Sequence, residues 1–220
     1  MPKWYFVMLL LPLLAKAQTW QSMGPFHPDN LLDIHFIHPD TGFAVGGTPD
    51  AARVYRTTNG GLTWNFQVLQ NQPIQYAIGS TQDGRLFCSG FEGKGMYSSD
   101  LGLSWTSMEF ANGSWMMDWT QTPQGKLIAC GLNGSIQLSN QIENGWTLVP
   151  STTQSWLLAL ACSPEGYLWC VGENGTILKS TDQGNAWEKQ DVEAPETLTG
   201  LHVLNKDTVF ATGFDGLILR

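Results

Sequence analysis

Trp64, Trp105, Trp146 and Trp187 stand 41 residues apart. So do Gly90, Gly131, Gly172 and Gly213, and again Gly93, Gly134, Gly175 and Gly216. Three columns with one spacing mark a repeat architecture, in which each unit buries its apolar face only against its neighbours. Every unit has the same internal order. An apolar segment such as "WLLALACS" (Trp156–Ser163) leads to a Gly-containing turn, then to a second apolar stretch ending in glycine: "RLFCSG", "KLIACG", "YLWCVG", "TVFATG". Asn133-Gly134, Asn174-Gly175 and Asp215-Gly216 follow, pairs that suit two-residue hairpins because both central residues need positive φ. A third short strand comes next ("SIQLS", "TILKS", "LILR"), then a turn, the periodic Trp and a fourth strand. Helical periodicity is absent beyond the N-terminal segment. Four short antiparallel strands in about 41 residues is the size of one propeller blade, so the expected fold is an all-β propeller.

Blade repeats end near Trp64, Trp105, Trp146 and Trp187, and residues 188–220 form a partial fifth blade. Residues 1–17 read separately: Lys3, an apolar run from Trp4 to Ala15 and an Ala15-Lys16-Ala17 end have the order of a secretory signal peptide. The run falls short of the roughly 20 residues that span hydrocarbon. Cleavage would leave a domain over 18–220 with no membrane span, secreted, periplasmic or on the cell surface. Trp20 stands alone before the first unit, as an orphan fourth strand would. Two closures are open: five blades sealed by this N-terminal strand, or a larger ring of which the chain is part.

Charge narrows the partners. Eleven Lys and Arg face 19 Asp and Glu, a net −8, and removal of Lys3 and Lys16 makes the balance more negative. An acidic surface repels phosphate backbones, which argues against nucleic acid. The four cysteines, Cys88, Cys130, Cys162 and Cys170, form no metal spacing. An exported chain permits a disulfide between Cys162 and Cys170, which flank one hairpin turn. The alternative is that all four are small core residues, and Cys88 and Cys170 both stand two residues before a repeat glycine.

The turn before each periodic Trp carries a motif. "SSDLGLSW" (Ser98–Trp105) has Asp100, Gly102 and Trp105; "STDQGNAW" (Ser180–Trp187) has Asp182, Gly184 and Trp187. "TTNGGLTW" (Thr57–Trp64) has Asn59 in place of Asp, with Gly61 and Trp64, and the third copy keeps only Ser139 and Trp146. An Asp at the third position accepts from nearby N–H groups and from the first hydroxyl; glycine supplies a conformation other residues resist, and Trp buries a large ring. The job is structural and repeats in every blade.

These turns resemble the Asp-box (BNR) repeat. With "GFAVG…VYRTTNGGLTW" around them, the chain is similar to the propellers of photosystem II stability and assembly factors and their exported relatives in other bacteria. The resemblance implies an exported, non-catalytic scaffold that binds a macromolecule or helps assemble one. Two alternatives remain open: an Asp-box glycosidase of sialidase type lacking part of its ring, and a structural repeat of a larger surface protein.

Residue types bear on the enzyme reading. A sialidase clamps a carboxylate with several arginines, and here there are only Arg53, Arg56, Arg85 and Arg220. The inner strands offer two carboxylates, Asp33 and Asp118, two blades apart. No nucleophile–base pair, metal cluster or cofactor motif is visible. Aligning the inner strands gives the column Phe36, Ile78, Trp119, Leu160 and Leu201, preceded by His35, Ala77, Asp118, Ala159 and Gly200. His35 and Asp118 are thus polar in a small-residue column, as a channel ligand site or a satisfied buried pair would be. Trp115 and Trp156 occupy one position in consecutive blades, just before the inner strand. There they suit a protein or glycan partner, or inter-blade packing. Asn112, Asn133 and Asn174 head Asn-x-Ser/Thr triplets but read as turn residues.

Overall fold

The computed structural model describes Ser22 and residues 30–220. The signal-peptide reading, Trp20 and the closing strand lie outside the described residues. The rest forms the blades of a propeller. Blade one is β1 (Asn30–His38), β2 (Thr41–Thr48), β3 (Ala51–Thr57) and β4 (Asn65–Gln70). Blade two is β5 (Gln75–Ser80), β6 (Leu86–Gly90), β7 (Lys94–Ser98) and β8 (Thr106–Glu109). Blade three is β9 (Met116–Gln121), β10 (Leu127–Gly131), β11 (Ile136–Ser139) and β12 (Thr147–Val149). Blade four is β13 (Leu157–Cys162), β14 (Leu168–Gly172), β15 (Ile177–Ser180) and β16 (Glu188–Lys189). The fifth sheet has β17 (Leu198–Asn205), β18 (Thr208–Gly213) and β19 (Ile218–Leu219). Each sheet is an antiparallel meander in chain order.

Second strands are the most deeply buried, because blades pack face to face on them: β6, β10 and β14 are buried throughout. Phe87 of β6 packs at 5.7 Å on Trp146 and at 4.8 Å on Trp119, both from blade three. Ile128 of β10 shares a cluster with Trp187 of blade four. The periodic Trp is therefore an inter-blade wedge as well as a turn residue.

The repeat glycine at the end of each second strand has a steric cause. A Cβ on Gly131 would fall 1.8 Å from the Trp115 carbonyl oxygen, and one on Gly172 1.9 Å from that of Trp156. Leu132 N–H donates to the Trp115 oxygen and Glu173 N–H to the Trp156 oxygen. The glycine column thus lets the next turn dock on the loop entering the inner strand. In that turn Asn133 and Gly134 have φ of 54° and 68°, and Asn174 and Gly175 have 54° and 60°, so these asparagines do hold left-handed turn positions.

All four cysteines are free thiols, which corrects the Cys162–Cys170 pairing. Cys162 lies opposite Leu168, and Cys170 lies opposite Leu160, so the two are not cross-strand neighbours. Cys170 instead lies beside Cys130 in the seam of blades three and four. Burial raises the Cys130 and Cys88 thiols well above the ordinary range and lifts Cys162 to about 11.

Candidate functional site

Three places carry polar or aromatic side chains with structural detail: the Asp-box turns, the channel wall and the loop face. In the second box Ser98 Oγ donates to Asp100 Oδ1 at 2.8 Å and accepts Gly102 N–H at 2.8 Å. Asp100 also accepts Ser104 N–H at 2.9 Å and Ser104 Oγ at 2.6 Å. Those bonds hold its carboxyl down, at about 2. The fourth box repeats the pattern with Ser180, Asp182 and Ala186 N–H, without the final hydroxyl bond. In the first, Asn59 Oδ1 accepts from Thr57 and from Thr63 N–H, while its amide donates to Thr63 Oγ1. Gly102 has φ +77°, and a Cβ there would meet Phe43 of blade one at 2.6 Å. Trp187 Nε1 donates to the Gly184 oxygen at 3.1 Å. In the worn third box Ile142, fully buried, fills the core and its oxygen takes the Trp146 N–H.

At the channel the structure replaces His35 by Asp33 as the partner of Asp118. Gly46 and Gly90 are 44 residues apart, not 41, because the β2–β3 hairpin of blade one is longer. The alignment that placed His35 beside Ala77 is two residues out of register. The register shows the true column: Asp33 opposite Val45, Ala77 opposite Ser89, Asp118 opposite Cys130, Ala159 opposite Val171 and Gly200 opposite Thr212. Ile34, likewise, stands where Phe36 was expected.

Asp33 and Asp118 do the same work in alternate blades. Asp33 accepts Ile34 N–H at 2.8 Å and, across the seam, Ile78 N–H at 2.7 Å. Asp118 accepts Trp119 N–H at 2.8 Å and Leu160 N–H of blade four at 2.8 Å. Each carboxylate straps its inner strand to the next. Burial pushes the Asp118 carboxyl up, to about 7, with the Asp33 charge adding and the two N–H bonds opposing. His35 Nε2 lies 3.0 Å from Ser80 Oγ, and burial lowers its pKa against the pull of Asp33. A cavity of about 300 Å³ reaches His35, Ser80, Asp118 and Gln121.

On the loop face, rings form a chain across three blades. Tyr76 and Trp115 centroids are 6.5 Å apart, Phe91 and Trp115 4.3 Å, and Trp115 and Trp156 6.3 Å. Trp156 remains 37% exposed; Trp115 is half-buried between its neighbours. Tyr76 stands in no repeated aromatic column, and Phe91 recurs only as Phe214, so the sequence reading passed over both. Glu173 Oε2 accepts the Trp156 backbone N–H at 3.2 Å, which fixes the backbone that carries the exposed indole. Among the described residues no group of three or more His, Cys, Asp or Glu could hold a metal ion, and no helix is long and apolar enough to cross a membrane.

The family model described as photosynthesis system II assembly factor YCF48 matches residues 53–220. A solved structure described as YCF48 bound to D1 peptide is 20% identical, with a TM-score of 0.68 over 91% of this chain and 68% of its own. YCF48 from Cyanidioschyzon merolae is 15% identical, TM-score 0.67, over 89% of this chain and 67% of its own. An ancestral GH74 enzyme is 14% identical, TM-score 0.65, over 91% of this chain and 32% of its own. Identities this low establish a shared propeller fold and no shared chemistry. No curated protein sequence matches the chain.

Proposed function

The chain belongs to the family of the photosynthesis system II assembly factor YCF48, and from that membership we propose that it is an exported, non-catalytic propeller gripping a segment of another protein on its loop face. The observation that carries this reading is the ring chain of Tyr76, Phe91, Trp115 and Trp156, which ends in an indole left 37% exposed. Large rings with a polar handle are common interface anchors. The description of a related propeller as bound to a D1 peptide supports a peptide-like ligand. Both channel carboxylates are occupied by backbone N–H groups, an employment that favours a structural role over a catalytic one. Export rests on the order of residues 1–17.

The test is capture from an envelope extract by the full chain and by a Trp115→Ala/Trp156→Ala variant, with circular dichroism as the fold control. Anchor truncation typically costs about 2 kcal/mol or more, so the variant should keep its fold and lose its partner. An unchanged set of captured proteins would remove this face as the site. Glycoside turnover by the wild type that disappears in Asp118→Asn would establish the enzyme reading instead.

A further inference from the structure

A cleft of about 560 Å³ opens on the loop face of blade three, within the range of small-molecule pockets. Its walls are the turn at Leu132–Ser135, the end of β12 with the loop from Pro150 to Gln154, and Asn112 with Ser114. No Lys, Arg, His, Asp or Glu lines it. Blade four has a cleft in the corresponding place, of about 350 Å³, but there Lys189, Asp191 and Glu193 line it. The same gap in the repeat is therefore charged in one blade and wholly neutral in the next.

The neutral cleft is braced from below. Gln137, fully buried, accepts Ala111 N–H at 2.7 Å and donates to Asn112 Oδ1 at 2.7 Å, fixing that amide at the mouth. Ser114 N–H donates to the same Asn112 oxygen, at 3.1 Å. On the other wall Thr152 holds φ +62°, a conformation that β-branched residues avoid. Neighbouring blades make this connection with Asn71 and Gly113 at positive φ, residues that tolerate it.

We propose that this cleft binds a neutral saccharide. A pyranose shows hydroxyls along its edge and C–H groups on its faces. Short amide and hydroxyl side chains such as Asn133, Thr152 and Gln154 offer donors and acceptors together, as vicinal hydroxyls require, while Asn112, its oxygen already filled, can only donate. Leu132, Leu148 and Pro150 supply the apolar side. A charged ligand would shed its water here without a counter-ion. The site is distinct from the ring chain that grips protein.

Calorimetric titration of the full chain with neutral tetrasaccharides of β-1,4-linked glucose, mannose and N-acetylglucosamine tests this, with sialyllactose as the charged control. At least one neutral sugar should bind with a Kd below about 1 mM, and Asn133→Gly, which keeps the left-handed turn, and Gln154→Ala should each weaken it about tenfold. Thr152→Gly should raise the melting temperature while weakening the sugar. The Trp115→Ala/Trp156→Ala variant should lose protein capture and still bind the tetrasaccharide, which separates this site from the proposed protein-binding face. Absence of any neutral sugar binding, equal binding by the cleft variants, or occupation of the cleft by a short neutral peptide alone would overturn the proposal.

Discussion

At Asp182 one carboxylate oxygen accepts both the Ser180 hydroxyl and the Ala186 N–H, and the side chain makes no contact with the loop face. Asp182→Ala should therefore lower stability by about 1 kcal/mol, the net scale of lost turn hydrogen bonds, and leave partner capture intact. Urea unfolding beside a capture assay checks both, and abolished capture at full stability would contradict the assignment. Asp100 extends the argument to acid. Its carboxyl is held at about 2 in the folded chain by Ser104 and Ser98. Because that lies below the ordinary value, its stabilising contribution is complete above about pH 4 and is lost as pH falls toward 2. This chemistry was legible from the spacing Ser-x-Asp-x-Gly, since all the partners lie within four residues. Even the departures are local: Asn59 keeps the acceptor role, and Ala186 loses a hydroxyl but not its N–H.

Strand-to-strand straps belong to the next scale. Asp33 joins β1 to β5 and Asp118 joins β9 to β13, whereas Ala77 and Ala159 leave the intervening seams without a carboxylate. The blades are thus paired one with two and three with four. Asp118 titrates at about 7 because burial disfavours its charge. A folded pKa above the unfolded value means this group favours folding below about pH 4, and the advantage disappears as pH rises from about 4 to about 7. Asp118→Asn should flatten the stability profile across that window. An amide can offer only its oxygen to two N–H donors, so amide exchange at Leu160 should also quicken. Parallel pH profiles for variant and wild type, from chemical unfolding at pH 4 to 8, would remove Asp118 as the cause. The sequence showed that Asp118 was odd in its column, but its counterpart in blade one was misread as His35, because the pairing of β1 with β2 sets that column and spacing along the chain does not reveal it.

Across the whole molecule acids outnumber bases, and their placement bears on the partner. On the loop face Glu173 contacts Trp156, Glu92 and Asp215 sit in equivalent turns, Glu193 and Glu196 precede β17, and Lys94 there is already bonded to Glu109. On the opposite face Asp83 and Glu143 are both engaged by Arg85 and Asp207 by Lys206, while Asp100 and Asp182 are taken up by their own turns. Unpaired acids beside exposed aromatic rings favour a partner segment bearing cations. Its association rate should fall as salt is raised, since screening shortens from about 10 Å at 0.1 M to about 3 Å at 1 M. Glu92→Gln with Asp215→Asn should reduce that salt dependence, as read from binding kinetics at several ionic strengths. A rate indifferent to salt would show that the acids do not steer the partner.

The chain's periodicity by itself determined the propeller, the four-strand grammar of its blades and the chemistry of its turns. Those depend on contacts within one repeat of about 41 residues, where spacing along the chain is a fair proxy for distance. Tertiary structure alone decided what lies across a seam. Tyr76 meets Trp115 from β5 and Phe91 from the turn after β6, Cys130 meets Cys170 in place of the Cys162–Cys170 hairpin pair, and Asp33 stands where His35 was expected. In each case the neighbour is set by register and by the packing of one blade on the next. A single-residue bulge moves that register, and it leaves no mark in the spacing of the periodic residues.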